Sequence, residues 1–310
     1  MIPHSEFKTI IDLVTRFPNE KACHQYLASR RWSDGILTCP HAGCSGDHAY
    51  VFKDGFRYKC QTCKRLFNAK TGTIMEASKL DTIKWFMAIY LFMHKKGISS
   101  IQLGKDIGVT QKTAWFILQR IRKAMGNEPN EQLEGVVEID ESFVGGKARF
   151  KHKNKRKKYN PGRGWYDKTP VLGMLQRGGK VKAMVIPDVL MLTLKKHMYT
   201  HVKGGSDVMG DGFNGYRSLE LAYNMQYCDH GKGIYGIGDI HTNTIEGFWS
   251  GFKKGIAGIY HKTTPRHLNG YVQEFVFRYN YRHLTTPQQM EQVFKLFNCR
   301  LKQKELSNLK

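Results

Sequence analysis

Two closely spaced pairs of cysteines near the N-terminus constrain the fold more than any other feature of the sequence. They are Cys39 and Cys44, in CPHAGC, and, after fifteen intervening residues, Cys60 and Cys63, in CQTC. Each pair can turn two thiolates inward, and four thiolates complete a closed tetrahedral zinc site. The segment between the pairs alternates apolar and polar residues around Asp54-Gly55, which predicts a hairpin. The pattern therefore predicts a zinc ribbon that holds one structural Zn²⁺.

The remaining cysteines argue against a disulfide framework. The chain has seven cysteines, an odd number, and Cys23, Cys228 and Cys299 stand alone, which fits a metalloprotein of a reducing compartment. His41 is an alternative zinc ligand to one of the four paired cysteines. The sequence MIPHSEFKTI lacks the apolar stretch of a signal peptide, and the longest apolar run, 85–93, is too short to cross a bilayer. We therefore expect a cytoplasmic protein with no membrane partner.

The net charge indicates the class of partner. The chain has 49 Lys and Arg against 26 Asp and Glu, which gives a net charge of +23 and a pI near 9.7. Each cation that neutralises a phosphate releases counterions, so this excess favours a nucleic acid. An anionic membrane is the alternative, but the sequence has no basic amphipathic anchor or lipidation motif.

A basic tract concentrates this charge in one segment of the chain. Residues 147–168 include ten Lys or Arg and a single acid. We expect the tract to contact the DNA backbone, since such contacts depend on charge rather than on sequence. Its densest part is Lys155, Arg156, Lys157 and Lys158. The alternative is a solvated loop.

The segment 99–125 has the pattern of a helix-turn-helix. Its first part has apolar residues at helical spacing, Gly108 suits the turn, and Thr110 is a good N-cap for a second helix. The N-terminal end of that second helix would then contact base edges of double-stranded DNA. The residues there are Gln111, Lys112 and Thr113. A plain helical hairpin is the alternative interpretation.

Three acids lie where a metal-dependent reaction on a phosphodiester would need them. Asp140 lies inside a predicted strand, Asp211 ends a short apolar strand, and Glu246 stands at a helix start. The first two are 71 positions apart and the last two are 35 apart, which is the acid layout of a ribonuclease-H-like fold. Carboxylate oxygens suit Mg²⁺, and two such ions can clamp the attacking and leaving oxygens of a phosphodiester. Strand patterns at 169–179 and 180–188 predict an antiparallel meander after Asp140.

The neighbours of these acids have simpler interpretations. Strand alternation places Glu138 on the same face as Asp140, where we interpret it as a bystander, and Glu141 on the opposite face. Asp239 and His241 are interpreted as the turn that precedes the helix of Glu246.

That helix raises a second interpretation of Glu246. HTNTIEGFWSGFKK has apolar residues at helical spacing, which predicts one buried stripe. Asn243 and Glu246 fit a capping box, in which the carboxylate would only bond back to the helix start. At ~100° per residue, however, Glu246 and Lys253 fall together on the flank of the buried stripe. There a carboxylate can reach a metal ion while the lysine reaches a phosphate.

The sequence resembles the DDE insertion-sequence transposases of the ISXO-like group. The resemblance rests on CPHAGC with CQTC, on VEIDESFVGGK, on DGFNGY and on HTNTIEGFWSGFKKGIAGIYHKT, and it spans roughly 20–285. It implies a zinc ribbon joined to a ribonuclease-H-like domain in which Asp140, Asp211 and Glu246 bind two Mg²⁺ or Mn²⁺ ions. Asn243 and Lys253 match positions at which related elements use Asn and Lys, so the third ligand is Glu246 or Asn243.

The same resemblance implies an activity and partners. The protein would cut the terminal inverted repeats of a bacterial insertion sequence and transfer the exposed 3′-hydroxyl to target DNA, as a homodimer or a higher oligomer. A non-catalytic zinc-ribbon and helix-turn-helix regulator is one alternative, although a regulator has no need of the three acids. A nuclease without strand transfer is the other. Gly210 stands before Asp211 where relatives are expected to have Thr.

The predicted architecture is a mixed α+β chain with several consecutive parts. They are an N-terminal helical segment (1–30), the zinc ribbon (31–75), a helix-turn-helix-like DNA-binding region (76–126), a linker (127–134), a ribonuclease-H-like α/β catalytic domain (135–262) with the basic insertion 147–168, and C-terminal helices (263–310).

Overall fold

The computed structural model describes residues 7–93, 97–146, 168–228 and 238–308. The chain divides into two compact units, the first made of Met1–Glu128 and Tyr281–Leu309 and the second of Pro129–Asn280. The basic tract, with Lys155, Arg156, Lys157 and Lys158, lies outside the described residues. Within the described ranges, no helix is both long enough and apolar enough to span a membrane.

The secondary structure agrees with the predicted fold class, in which helical and ribbon elements precede a mixed α/β domain. The helices are α1 (Ile10–Arg16), α2 (Glu20–Arg31), α3 (Thr82–Phe92), α4 (Ser100–Ile107), α5 (Gln111–Met125), α6 (Met191–His201), α7 (Asn243–Gly255), α8 (Pro265–Asn280), α9 (Thr286–Leu296) and α10 (Gln303–Asn308). The strands are β1 (Ala49–Val51), β2 (Tyr58–Cys60), β3 (Leu66–Phe67), β4 (Val136–Val144), β5 (Thr169–Gln176), β6 (Val181–Val185), β7 (Asp207–Gly210) and β8 (Asn224–Tyr227).

The ribbon is a small antiparallel sheet of three strands in the order β1-β2-β3. The predicted hairpin is confirmed, with Val51 paired to Tyr58 across it. Gly55 adopts a positive φ of 77° in the turn, and the Asp54 carboxylate accepts hydrogen bonds from the backbone N–H groups of Phe56 and Arg57, each at 3.0 Å. A glycine and an Asx-type turn therefore close the loop between the cysteine pairs.

The helix pair α4–α5 has the predicted turn at Gly108 and N-cap at Thr110, together with an N-cap at Ser99 that was not predicted. The Ser99 side chain accepts a hydrogen bond from the N–H of Gln102 at 3.1 Å, and the Thr110 side chain accepts one from that of Thr113 at 3.2 Å. Gly108 ends α4 in the left-handed conformation, with φ 64°. The buried residues of α5 include Ala114, Ile117, Leu118 and Ile121, which recur at helical spacing. The helix-turn-helix geometry expected from the sequence is present in these residues.

The second unit is built on a mixed sheet of five strands in the order β6-β5-β4-β7-β8. The three strands β4, β5 and β6 are antiparallel, whereas β7 runs parallel to β4 and β8 parallel to β7. One face packs against α6 and the 3₁₀ helix Asn214–Leu219, and the other against α7 and α8. Strand β8 was not recognised in the sequence.

The C-terminal helices α8 and α9 belong to different units. Helix α8 belongs to the second unit because Leu268, Val272 and Phe275 join the apolar cluster on the sheet. Helix α9 belongs to the first unit, where the Phe294 ring packs 5.1 Å from that of Phe86. The sequence segment 263–310 therefore contributes to both units, and the compact body around the three acids extends past residue 262 to Asn280.

Candidate active site and zinc site

The four paired cysteines converge in the ribbon. The Sγ atoms of Cys39 and Cys63 are 3.7 Å apart, as are those of Cys44 and Cys60, and all four Sγ atoms lie within 4.8 Å of one another. A tetrahedral zinc ion with Zn–S bonds of about 2.3 Å places its sulfur atoms about 3.8 Å apart. The cluster therefore fits one structural zinc ion with no protein ligand missing.

The environment of the cluster acts differently on its thiols, since burial raises the pKa of Cys39 to about 12 while hydrogen bonding favours the thiolate of Cys63. Hydrogen bonds from Arg65 lower the pKa of Cys63 to about 6, and a thiolate is the form that binds zinc. His41 is not in the cluster, since its Nε2 lies 3.1 Å from the carbonyl oxygen of Leu66.

Asp140 and Asp211 are brought together by a parallel strand pair. Strand β4 carries Asp140, and Asp211 directly follows β7. The pairing aligns Glu138 with Met209, so the same register continued by two residues aligns Asp140 with Asp211. Parallel strands end at the same edge of a sheet, and that edge is where ligands usually bind in α/β folds.

The electrostatics of Asp140 show which groups surround it. Burial raises the pKa of Asp140 to about 7, and the nearby charges of Asp211 and Glu246 add to that rise. The charge of Lys253 and a 2.8 Å hydrogen bond from the N–H of Glu141 act in the opposite direction. Asp211, Glu246 and Lys253 thus lie near enough to Asp140 for their charges to act on it, although among the described residues only the four cysteines lie close enough together to hold a metal ion as they stand. Carboxylates crowded in this way repel one another, and a divalent cation bound by their oxygens would relieve that repulsion.

The turn that carries Asp211 is ordered by its own side chain. Asp211 Oδ1 accepts a hydrogen bond from the N–H of Phe213 at 3.1 Å, and Gly212 adopts φ 78°. Gly210 remains paired with Tyr227 of β8. A Cβ atom at Gly210 would lie 3.3 Å from Cδ2 of Tyr216, so glycine at this position leaves room for that ring without disturbing the strand.

Helix α7 begins one residue earlier than a capping box at Asn243 requires. Thr242 is the N-cap, and its hydroxyl donates to Glu246 Oε1 at 3.2 Å. The N–H of Asn243 donates to His241 Nδ1 at 3.4 Å. The capping box predicted at Asn243 is therefore absent, but Glu246 does bond back to the start of the helix, through Thr242. Asn243, Glu246 and Lys253 all have exposed side chains, and the buried stripe of the helix is the predicted one, formed by Ile245, Phe248, Trp249 and Phe252.

The acids that flank Asp140 lie on the predicted faces. Glu141 faces away from α7 and accepts a hydrogen bond from the hydroxyl of the buried Tyr216. Burial, together with the charges of Asp140 and Asp211, raises the pKa of Glu141 to about 8. Glu138 is fully buried and pairs with Arg177, whose Nε lies 2.8 Å from Glu138 Oε1. Arg177 was not predicted to lie here, because an arginine at the end of a strand gives no sign of an acid 39 positions earlier in the chain.

The predicted DNA-contact residues of α5 lie at its exposed first turn. Gln111, Lys112 and Thr113 are all exposed. Gln111 Nε2 donates to Ser100 Oγ at 2.9 Å, and the hydroxyls of Thr113 and Thr110 are 2.9 Å apart. These residues are in the first unit, whereas the three acids are in the second.

Comparisons with known proteins match both parts of the chain. Residues 132–280 match the model of the ISXO2-like transposase domain, and residues 18–65 match that of the transposase zinc-ribbon domain. A protein of Halobacterium salinarum, described as an uncharacterized protein in the transposable element ISH50, is 33% identical over 246 residues. That similarity covers 75% of this chain and 82% of the relative.

Proposed function

Since the chain belongs to the family of transposases that join a transposase zinc ribbon to an ISXO2-like transposase domain, we propose that it catalyses metal-dependent cleavage and strand transfer at the ends of an insertion sequence. The observation that carries this proposal is the convergence of three acids from three separate elements. Asp140 comes from β4, Asp211 follows β7, and Glu246 comes from α7. The charges of Asp211 and Glu246 nevertheless raise the pKa of Asp140.

In this proposal Asp140 and Asp211 hold the metal ions from the sheet edge, and Glu246 completes the set from the helix. Bound Mg²⁺ or Mn²⁺, two ions in all, would activate the attacking oxygen and stabilise the leaving oxygen of the phosphodiester. Lys253 lies on the same flank of α7 as Glu246 and would hold a phosphate oxygen beside the acids. Asn243 remains the alternative third ligand, because it too is exposed at the start of α7.

The first unit would bind DNA. Its zinc ribbon would be a recognition module, because a closed four-cysteine site leaves no open coordination position for catalysis. Gln111, Lys112 and Thr113 would contact base edges. The second unit would add phosphate contacts through Lys155, Arg156, Lys157 and Lys158 of the basic tract. Both terminal inverted repeats must be held together with target DNA, so we propose a complex of at least two copies acting in the cytoplasm.

The proposal is tested with the purified full chain and duplexes that carry the ends of its own element. We expect Mg²⁺-dependent cleavage at the end and joining of a 3′-hydroxyl to target DNA by the wild type. Asp140→Asn and Glu246→Gln should bind the duplex like the wild type and lose both steps by at least 10²-fold, because a metal ligand that becomes an amide loses its charge.

Asn243→Ala is the matched variant on the same helix turn. Full activity of Glu246→Gln together with loss of activity in Asn243→Ala would assign the third ligand to Asn243. Cleavage without joining would identify a nuclease, and end binding with neither step in the wild type would favour the regulator.

A further inference from the structure

Glu138 makes contacts that a bystander would not make. Its side chain is fully buried on β4, two residues before Asp140 and on the same face of the strand. Glu138 Oε1 accepts hydrogen bonds from Arg177 Nε at 2.8 Å and from Thr244 Oγ1 at 2.9 Å. Glu138 Oε2 accepts one from the N–H of Ile245 at 2.9 Å. One carboxylate thus bonds both to the turn after β5 and to the first turn of α7.

Arg177 holds the chain that leads into the same helix. Its Nη1 donates to the carbonyl oxygen of Asp239 at 2.7 Å. Its Nη2 donates to the carbonyl oxygen of His241 at 2.8 Å and lies 3.0 Å from Nδ1 of the same residue. Its own backbone N–H bonds to the carbonyl oxygen of Val136 on β4 at 2.9 Å. The guanidinium therefore joins β4 to the residues just before α7.

From these contacts we infer that Glu138 and Arg177, together termed the clasp, are positioning residues that fix the start of α7 against β4. The clasp would set the distance between Asp140 on the strand and the third ligand on the helix. This inference rests on the proposed function, since it explains how the metal ligands of that site are held.

Stability alone is a poor explanation for the clasp. A buried ion pair costs so much desolvation that apolar replacements are often equally stable or more so. The clasp bonds instead to Asp239, His241, Thr244 and Ile245, which lead directly to Asn243 and Glu246. Hydrogen-bonded partners of metal ligands typically change metal affinity or activity by about 10- to 100-fold when they are altered.

A second buried pair in the same unit provides a matched control. Glu274 and Arg278 of α8 are 3.0 Å apart, with side-chain exposures of 0% and 12%, against 0% and 22% for Glu138 and Arg177. Helix α8 carries none of the proposed site residues. A variant there removes an ion pair of similar burial without touching the start of α7.

The test compares Arg177→Lys, Glu138→Gln and Glu274→Gln in the zinc-loaded full chain. Arg177→Lys keeps the positive charge, but a lysine cannot donate hydrogen bonds to the carbonyl oxygens of Asp239 and His241 at the same time, as the planar guanidinium does. We expect Mn²⁺ affinity, from calorimetric titration, to fall about 10- to 100-fold in both clasp variants. Hydrogen exchange of the peptide 240–247 should accelerate in them, and turnover should fall with end binding unchanged. Glu274→Gln should lower the melting temperature only.

Thr244→Val keeps the test decisive if Glu138→Gln does not fold. It removes only one hydrogen-bond donor to Glu138, so Mn²⁺ affinity and hydrogen exchange should change in the same direction but by less. Unchanged Mn²⁺ affinity and unchanged exchange at 240–247 in folded clasp variants would overturn the inference. If the wild type itself bound no Mn²⁺, the proposed function would fail instead, and the exchange data would still decide whether the clasp fixes α7.

Discussion

Asp140 is the residue at which the proposed function and the stability of the fold make opposite demands most clearly. Its pKa is raised to about 7 by burial and by the charges of Asp211 and Glu246. Between about pH 4, near the ordinary pKa of 3.8, and about pH 7, the folded state keeps a proton that the unfolded state releases. The metal-free protein must therefore lose stability as the pH rises through that window, and the loss is complete above it.

We accordingly predict that Asp140→Asn melts at a higher temperature than the wild type when no Mg²⁺ or Mn²⁺ is added. The difference should be absent near pH 4, grow through the window and be full at pH 8, because the amide cannot ionise. Melting curves of both proteins at several pH values measure it. Added Mn²⁺ should raise the melting temperature of the wild type at pH 8 and not that of the variant. An Asp140→Asn variant that is no more stable at pH 8 would contradict the crowding of the carboxylates.

At the scale of elements, Gly173 decides how closely α7 approaches the sheet. It lies on β5 directly opposite Asp140. A Cβ atom at this position would lie 2.5 Å from Cζ2 of Trp249 and 3.0 Å from Cδ1 of Ile245. Both are buried residues of α7, so glycine lets the helix that carries Glu246, the proposed third ligand, lie close to the strand next to β4, which carries Asp140.

We therefore predict that Gly173→Ala forces α7 outward and costs about 1–3 kcal/mol, as overpacked cores usually do. Cleavage should fall further than the stability loss explains, because the shift separates Glu246 from Asp140. Denaturant unfolding and single-turnover cleavage measure the two effects. Gly251→Ala on α7 is the control: its Cβ meets nothing within 4 Å, so it should stabilise the helix by up to about 1 kcal/mol. Equal activity of Gly173→Ala and wild type would refute this role.

The ribbon is an element that its metal must hold together. Its strands have three, three and two residues, and the rings of Trp32, Tyr58 and Phe67 pack beside them. So small a sheet has little core of its own, and zinc binding supplies folding energy in such modules.

We predict about one bound zinc per chain, and loss of the ribbon structure on strong chelation or in Cys60→Ser. The second unit should persist, because it contains none of the four cysteines. Metal analysis measures the bound zinc, and Trp fluorescence follows the loss of structure. Cleavage of an end that is already nicked tests whether the second unit persists. A zinc-free protein that binds element ends normally would remove the ribbon from DNA recognition.

Local patterns in the sequence predicted the elements that depend on local rules. The cysteine spacing predicted the ribbon, the caps at Ser99 and Thr110 agree with the helix-turn-helix pattern, and the apolar stripe predicted α7. Strand β8 was not predicted because NMQY has only four residues, too few for its alternation of polar and apolar residues to stand out. Arg177 and Gly173 escaped because their roles depend on residues far away in the sequence, which a single sequence does not bring together. The metal ligands themselves remain predictions.

For the whole molecule, the excess of positive charge should dominate its affinity for DNA. We predict that neutralising Lys155, Arg156, Lys157 and Lys158 weakens binding to all DNA sequences alike. Each lost phosphate contact should flatten the slope of log affinity against log salt by about 0.9. Binding titrations at several salt concentrations, on end and unrelated duplexes, test this. Neutralising Lys195 and Lys196 on α6 is the control for charge alone. Weaker binding to the element end only would mean that the tract contacts bases.

The order of the two units along the chain has a consequence for synthesis. Residues 281–308 supply Phe294 and Phe297 to the core of the first unit, and the carbonyl oxygen of Leu301 accepts a hydrogen bond from the buried Arg120 at 3.2 Å. Translation of the first unit thus begins before that of the second unit and is finished after it. If translation stopped near residue 280, the product would contain the whole second unit with its three acids. The helix-turn-helix of its first unit would still lack part of its core. If the proposed function holds, products truncated there would therefore make poor competitors for the element ends.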